Sequence, residues 1–405
     1  MGVPVRSRDV RLDVLRGLAL LIIFVDHIPG ILFSGLTPQA FGYADAAEAF
    51  VIIAGLSAYQ AYNGKMTDAG IVRGSLPIFN RVWQLYVTHL ALVMLVAGIA
   101  AYAARRFSDP NYMEALGLDV FLADPTLAIV GVMTLTFLPN FLDILPLYMV
   151  VLAALPLVLI ALRVHWLLPL SLSFGLYVLA QVTGLNLPNI QASRVWYFNP
   201  LAWQFIFVSG VVLAHLSATG KLDGLFRHRK LVASITLLAA AYAVFSLLSV
   251  APWRQIPDFA NLRLIDPADL PVADKTNISP LRLLDGMAKV WLIAVMVPRH
   301  AGWLAAWPMR LMAVAGRQSL PVFVMGLVLS TTAGVIIRET GFDLAIQSAV
   351  VLFGMALMIG FAMLLDWQAR MSKRDAPVMV PVLPPASSPG PAAPLAKVLA
   401  EPSTK

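Results

Sequence analysis

The run Leu12-Asp13-Val14-Leu15-Arg16-Gly17-Leu18-Ala19-Leu20-Leu21-Ile22-Ile23-Phe24-Val25-Asp26-His27 is apolar through its middle and ionisable at both ends. Ionisable groups cost about 2.5 to 3.5 kcal/mol each near a bilayer centre, so four in one apolar segment call for a reason. Arg6, Arg8 and Arg11 precede the run as they would in a signal peptide, but no small-residue cleavage site follows, and it reads as a retained first span. Asp13 and Arg16 are one helical turn apart and can pair near one membrane surface. Arg16 and His27 are eleven positions apart, which is three turns plus about 20°, so they share a helix face roughly 16 Å apart along the axis.

The rest of the chain has the same character. Of its 405 residues, 59% are hydrophobic and only 13% charged, with a mean hydropathy of +0.79. Apolar windows fall near 12–29, 44–62, 82–103, 143–161, 166–183, 200–217, 230–250, 282–298, 317–337 and 343–366. A further apolar run near 120–138 is bracketed by Asp119, Asp124, Pro125 and Pro139 and reads as an extracytoplasmic or interfacial helix. With the amino terminus inside, 20 basic residues lie in cytoplasmic segments and 8 outside, and Lys289 falls within a span. The expectation is therefore an all-α, polytopic membrane bundle of about ten transmembrane helices with both termini cytoplasmic. Residues 1–370 form the membrane domain, and 371–405 form a Pro-rich disordered tail.

The net charge of +7 is dispersed between apolar runs as topology signals, which argues against nucleic acid and for the lipid bilayer as partner. The chain has no cysteine, which excludes a disulfide framework, thiolate metal sites and a cysteine nucleophile. The six histidines are scattered without metal-ligand spacing, so no metal is expected. Nothing in the sequence fixes an oligomeric state.

Leu12-Asp-x-x-Arg16-Gly-Leu-Ala19 with a His eleven residues beyond the Arg resembles the opening signature of acyltransferase-3 type membrane acyltransferases. Further blocks resemble the OpgC family: Asp45-Ala-Ala-Glu48-Ala-Phe-Val-Ile-Ile-Ala-Gly55, Trp83-Gln-Leu-Tyr-Val-Thr-His89, Leu138-Pro-Asn140-Phe-Leu-Asp143-Ile-Leu-Pro-Leu-Tyr148, Phe198-Asn199-Pro-Leu-Ala-Trp203-Gln204, Asp274-Lys275-Thr-Asn277 and Gly316-Arg-Gln-Ser-Leu-Pro-Val-Phe323. They are spread from residue 9 to about 330. Ala54 stands where relatives often carry Ser, and Asp285 stands where a His is expected after Arg282-Leu-Leu. The resemblance implies O-acylation, typically succinylation, of osmoregulated periplasmic glucans at a Gram-negative inner membrane. It maps the coenzyme A end of the donor onto Arg16 and the transfer chemistry onto His27. It implies no bound cofactor, with acyl-CoA, typically succinyl-CoA, as donor substrate.

The residues fit that chemistry. A sugar hydroxyl is a poor nucleophile at neutral pH, and an imidazole is suited to take its proton, with Glu48 or Asp143 as candidates to orient the ring of His27. Arg16 offers a planar, always-charged fork to a phosphate at the cytoplasmic mouth, with Arg73 and Arg81 as further candidates and His89 as a second histidine toward the donor side. Candidates for holding the acceptor or acyl group are Asn140, Asn199, Trp203, Lys275, Asn277 and Arg282, all on the outer side in this topology. Helix caps, loop charges and an interfacial aromatic belt account for the same residues without function. The competing readings are a secondary transporter, which should show internal pseudo-symmetry, and a non-catalytic scaffold of glucan synthesis.

Overall fold

The computed structural model describes residues 9–190, 194–250, 274–298 and 301–374. The chain forms two compact units, Met1–Asp366 and Trp367–Lys405. The second is described only over residues 367–374, the end of the last helix, so most of the expected 371–405 tail lies outside the described residues.

The fold is all-α. The first six helices are α1 (Val10–Asp26), α2 (Ala46–Asp68), α3 (Gly70–Phe107), α4 (Asn111–Glu114), α5 (Val120–Ala123) and α6 (Pro125–Thr134). Next come α7 (Ile144–Ala153), α8 (Leu155–Val164), α9 (Leu167–Thr183), α10 (Pro200–Ala218) and α11 (Lys221–Arg227). The last five are α12 (Arg229–Val250), α13 (Pro280–Met296), α14 (Trp307–Arg317), α15 (Ser319–Thr340) and α16 (Leu344–Arg374). Among the described residues the other regular elements are 3-10 helices at Leu32–Leu36, Pro38–Ala40 and Gly302–Ala305 and a two-stranded antiparallel ribbon, β1 (Pro188–Asn189) with β2 (Arg194–Val195), which pairs Pro188 with Val195 and Asn189 with Arg194.

Each of the ten apolar windows coincides with a helix, and 143–161 is divided between α7 and α8. Pro156, at the start of α8, cannot donate to the preceding turn, and the pair bends by 42° there. Among the described residues, five helices can cross a membrane by length and composition, namely α3, α10, α12, α15 and α16, or six with the bent pair counted as one span. The count falls short of ten for physical reasons. The helices α1, α9 and α13 have 17 residues each, about 25 Å against a hydrocarbon core of about 30 Å. The second half of α2 carries Gln60, Asn63, Lys65 and Asp68. The run 120–138 folds into α5 and the 10-residue α6, which is too short to cross.

Local chemistry sets the helix starts that matter for the site. Asp45 and Glu48 form a capping box at α2: the Asp45 carboxylate accepts from Ala47 N–H and Glu48 accepts from the Asp45 N–H at 2.8 Å. Asn199 caps α10 by accepting from Leu201 N–H, and Ser279 caps α13. Two helix crossings depend on glycine. A Cβ on Gly316 of α14 would lie 1.8 Å from the Asp13 carbonyl oxygen, and one on Gly17 of α1 would lie 1.9 Å from that of Met312. The two backbones touch, which brings the amino-terminal half of α1 against α14.

Candidate active site

In the amino-terminal half of α1, Arg16 lies 3.7 Å from Asp13, donates to the Gly316 carbonyl at 3.3 Å and also donates to the Ser57 hydroxyl of α2. Arg81 of α3 donates to Gln84 at 2.5 Å. The charges of Arg16 and Arg81 both reach the Tyr148 hydroxyl of α7, and that of Arg81 reaches Tyr62 as well, so the two arginines gather at one end of the bundle. Arg73, in the first turn of α3, is exposed.

At the opposite end of α1, His27 closes the helix. Its Nδ1 is 2.7 Å from the Ile23 carbonyl, an acceptor only, so Nδ1 carries the proton and Nε2 keeps its lone pair. Nε2 has no hydrogen-bond partner among the described residues. The ring packs edge-on to Phe141 at 5.3 Å. It borders a cavity of about 370 Å³ with Val96 and Leu142 in its apolar wall and Asn140, Tyr112 and Arg338 among its polar residues. The two carboxylates expected to orient His27 do not touch it. Glu48 is taken by Arg282 and by the helix cap, and Asp143, buried at the start of α7, makes no hydrogen bond to the ring. A backbone carbonyl one turn back orients it instead. Asp26 accepts from Thr37 at 2.6 Å and Gln39 at 3.1 Å, away from the imidazole.

Beside this cavity stands a buried ion network. Lys275 reaches Asp45 at 2.6 Å, and Arg282 reaches Asp45 at 3.0 Å and Glu48 at 2.6 Å. Burial alone would depress the Lys275 ammonium, but Asp45 and Glu48 outweigh it and hold it above the usual lysine range, so Lys275 stays charged. The charges of Lys275 and Asp45 extend to both Asp26 and His27. The turn bearing Lys275 is pinned from several sides: Asn199 donates to Asn277 at 2.8 Å, Trp203 to the Lys275 carbonyl at 3.0 Å, and Tyr177 to the Ile278 carbonyl at 3.0 Å. Ile278 is held there at a φ of 46°, a costly backbone region for a β-branched residue. Asn199, Trp203 and Asn277 thus spend their polar groups on building the turn, and Lys275 and Arg282 spend theirs on carboxylates. Of the six candidates for acceptor or acyl binding, Asn140 is the one that lines the cavity of His27.

Three further features escaped the sequence. Asn111, Tyr112 and Arg338 share the cavity, although they carry no spacing that would link them to His27. Both nitrogens of His89, fully buried in α3, lack a hydrogen-bond partner. Asp285, at the position where a His is expected, is fully buried, accepts from Ala44 N–H at 2.8 Å and pairs with Lys289 at 2.7 Å. It ties α13 to the segment entering α2, a structural use that needs no titrating imidazole. Among the described residues no group of three or more His, Asp and Glu is placed to hold a metal ion.

No curated protein and no solved structure matches the chain. The family model described as OpgC protein matches residues 8–370, and the chain belongs to that family.

Proposed function

From membership of the OpgC family, we propose that this protein is a membrane O-acyltransferase of the bacterial inner membrane. It moves an acyl group, succinyl by family likeness, from a cytoplasmic acyl-CoA to hydroxyls of a periplasmic glucan. The single observation that carries the reading is the state of His27: a ring with Nδ1 anchored and Nε2 free, bordering a cavity, on the same helix whose other end bears Arg16. In this reading the ten apolar helices all lie in the bilayer, the shorter ones with the local thinning or flanking-residue adjustment that mismatch allows, and both termini are cytoplasmic.

The separation along α1 suits a donor made on one side and used on the other. Arg16 and Arg81 receive the phosphates of the donor at the inner mouth, and the thin pantetheine arm threads the bundle toward His27. There the acceptor hydroxyl oxygen attacks the thioester carbonyl while Nε2 takes its proton. A C–O bond forms, the C–S bond breaks, and the departing thiolate takes the proton back from the imidazolium. The products are an O-acyl glucan and free coenzyme A. The network of Asp45, Glu48, Lys275 and Arg282 ties the start of α2 to the turn before α13 and contributes to the field at the ring without touching it.

Replacing His27 by Ala should abolish acylation, read by mass spectrometry of periplasmic glucans, while the membrane level of the protein stays near wild type. Full acylation in that variant would return the protein to a scaffold or transport role.

A further inference from the structure

One wall of the His27 cavity has no assigned role. It is built by the segment around α4, by the end of α15 and by the residues that follow it. Arg338 pairs with Asp109 at 2.5 Å and lies over the Tyr112 ring at 4.9 Å. Tyr112 donates to Glu339, and Asn111 donates to Asp109 at 2.8 Å. Burial, together with the Glu339 hydrogen bond and charge, pushes the Tyr112 hydroxyl up to about 12, so it remains a neutral donor. Phe342, 56% exposed, leans over the mouth, where Gly30 makes room: a Cβ on Gly30 would come within 2.7 Å of the ring. Gly30 also has a φ of +74°, so glycine is favoured there twice over.

This chemistry selects its ligand. Among the described lining residues the one lysine or arginine is Arg338, and it is already paired with Asp109, while Glu339 accepts from Tyr112, so an anionic group gains little there. The amides of Asn111 and Asn140 each spend one N–H, on the Asp109 carboxylate and on the Ala115 carbonyl, and keep the second N–H and the carbonyl oxygen for a ligand, while the exposed ring of Phe342 lines the same cavity. A ligand with many hydroxyls, each both donor and acceptor, and an apolar ring face matches that mixture. We infer that the acceptor carbohydrate docks on this wall, with Asn111, Asn140 and Arg338 bonding its hydroxyls and Phe342 covering a sugar face, so that a hydroxyl reaches Nε2 of His27. The inference rests on the acyltransferase reading for the identity of the acceptor. It moves the acceptor site away from Asn199, Trp203, Lys275 and Asn277, which build the neighbouring turn and do not line the cavity.

The test measures binding and transfer separately on the full chain in lipid nanodiscs, with a tetrasaccharide of β-linked glucose as probe and calorimetry as readout. Asn111→Ala and Phe342→Leu should each weaken tetrasaccharide affinity fivefold or more, with Arg338→Gln as a third variant. Asn111→Ala removes only a turn contact to Asp109, so the test stands even where Arg338→Gln fails to fold. A purely structural role would instead lower the unfolding temperature and leave affinity per folded molecule at the wild-type value. Wild-type transfer combined with unchanged affinity in both Asn111→Ala and Phe342→Leu overturns the site and leaves the enzyme reading intact. Binding that depends on these residues without any transfer from acyl-CoA supports the site and removes the enzyme reading. No tetrasaccharide binding by the wild type overturns the site outright.

Discussion

His27 and His89 show how differently two histidines in apolar surroundings are treated. The first has one nitrogen satisfied by a carbonyl of its own helix and the other left at a cavity, an arrangement that fixes the tautomer and presents a lone pair. The second is fully buried with neither nitrogen bonded, and each unmet group costs about 1 to 3 kcal/mol. Along α3, His89 lies eight residues beyond Arg81 and seven before Val96, so it stands between the gathered arginines and the cavity wall. A donor arm with amide groups would supply the missing partners. His89→Phe should therefore raise the unfolding temperature of the donor-free protein, by the equivalent of about 1 to 3 kcal/mol, and at the same time weaken donor affinity. Thermal unfolding with and without coenzyme A reads both. A variant less stable than wild type, or one with unaltered donor affinity, would show that His89 only fills space.

At the scale of elements, α2 and α13 are joined by charge where neighbouring helices are joined by packing. Arg282 is 10% exposed and bridges two carboxylates, Asp45 and Glu48, that are themselves buried. Removing one partner of such a set leaves the others uncompensated in a poorly solvated place, a loss of about 3 to 5 kcal/mol. Arg282→Ala should lower the detergent unfolding temperature sharply, and changing Arg282, Lys275, Asp45 and Glu48 together to apolar residues should recover most of it. Failure of the fourfold change to recover stability would mean that the network acts through more than paired charge.

At the scale of the whole molecule, the candidate residues separate toward the two ends of α1. The sequence places Asp26, His27, Asn140, Asn199 and the 274–277 turn on the outer side and Arg16, Arg73 and Arg81 on the inner side. The fold brings the first group around one end of α1 and Arg16 with Arg81 around the other. The absence of cysteine makes labelling clean. A cysteine at Leu36, which is 73% exposed in the loop after α1, should react with a membrane-impermeant maleimide in intact spheroplasts, and one at Ala218 only after permeabilisation. The reverse pattern would put His27 on the cytoplasmic side and remove the need for a donor that crosses the bilayer.

The sequence by itself determined that the chain is helical, apolar and organised about one charged first helix, because hydropathy and charge bias are local and additive along the chain. It placed Arg16 and His27 at opposite ends of one helix, because the apolar run between them continues without a break. Its resemblance to the OpgC family was legible for the same reason: the motif blocks are short and contiguous. Which carboxylate meets which cation was not legible, since Glu48 could serve His27 or Arg282 and only the packing of α2 on α13 gives it to Arg282. The bend between α7 and α8, and the shortness of α1, α9 and α13, lie inside windows that hydropathy averages over. The wall of Asn111, Tyr112 and Arg338 joins residues more than two hundred positions apart, and only the tertiary fold brings them to one cavity.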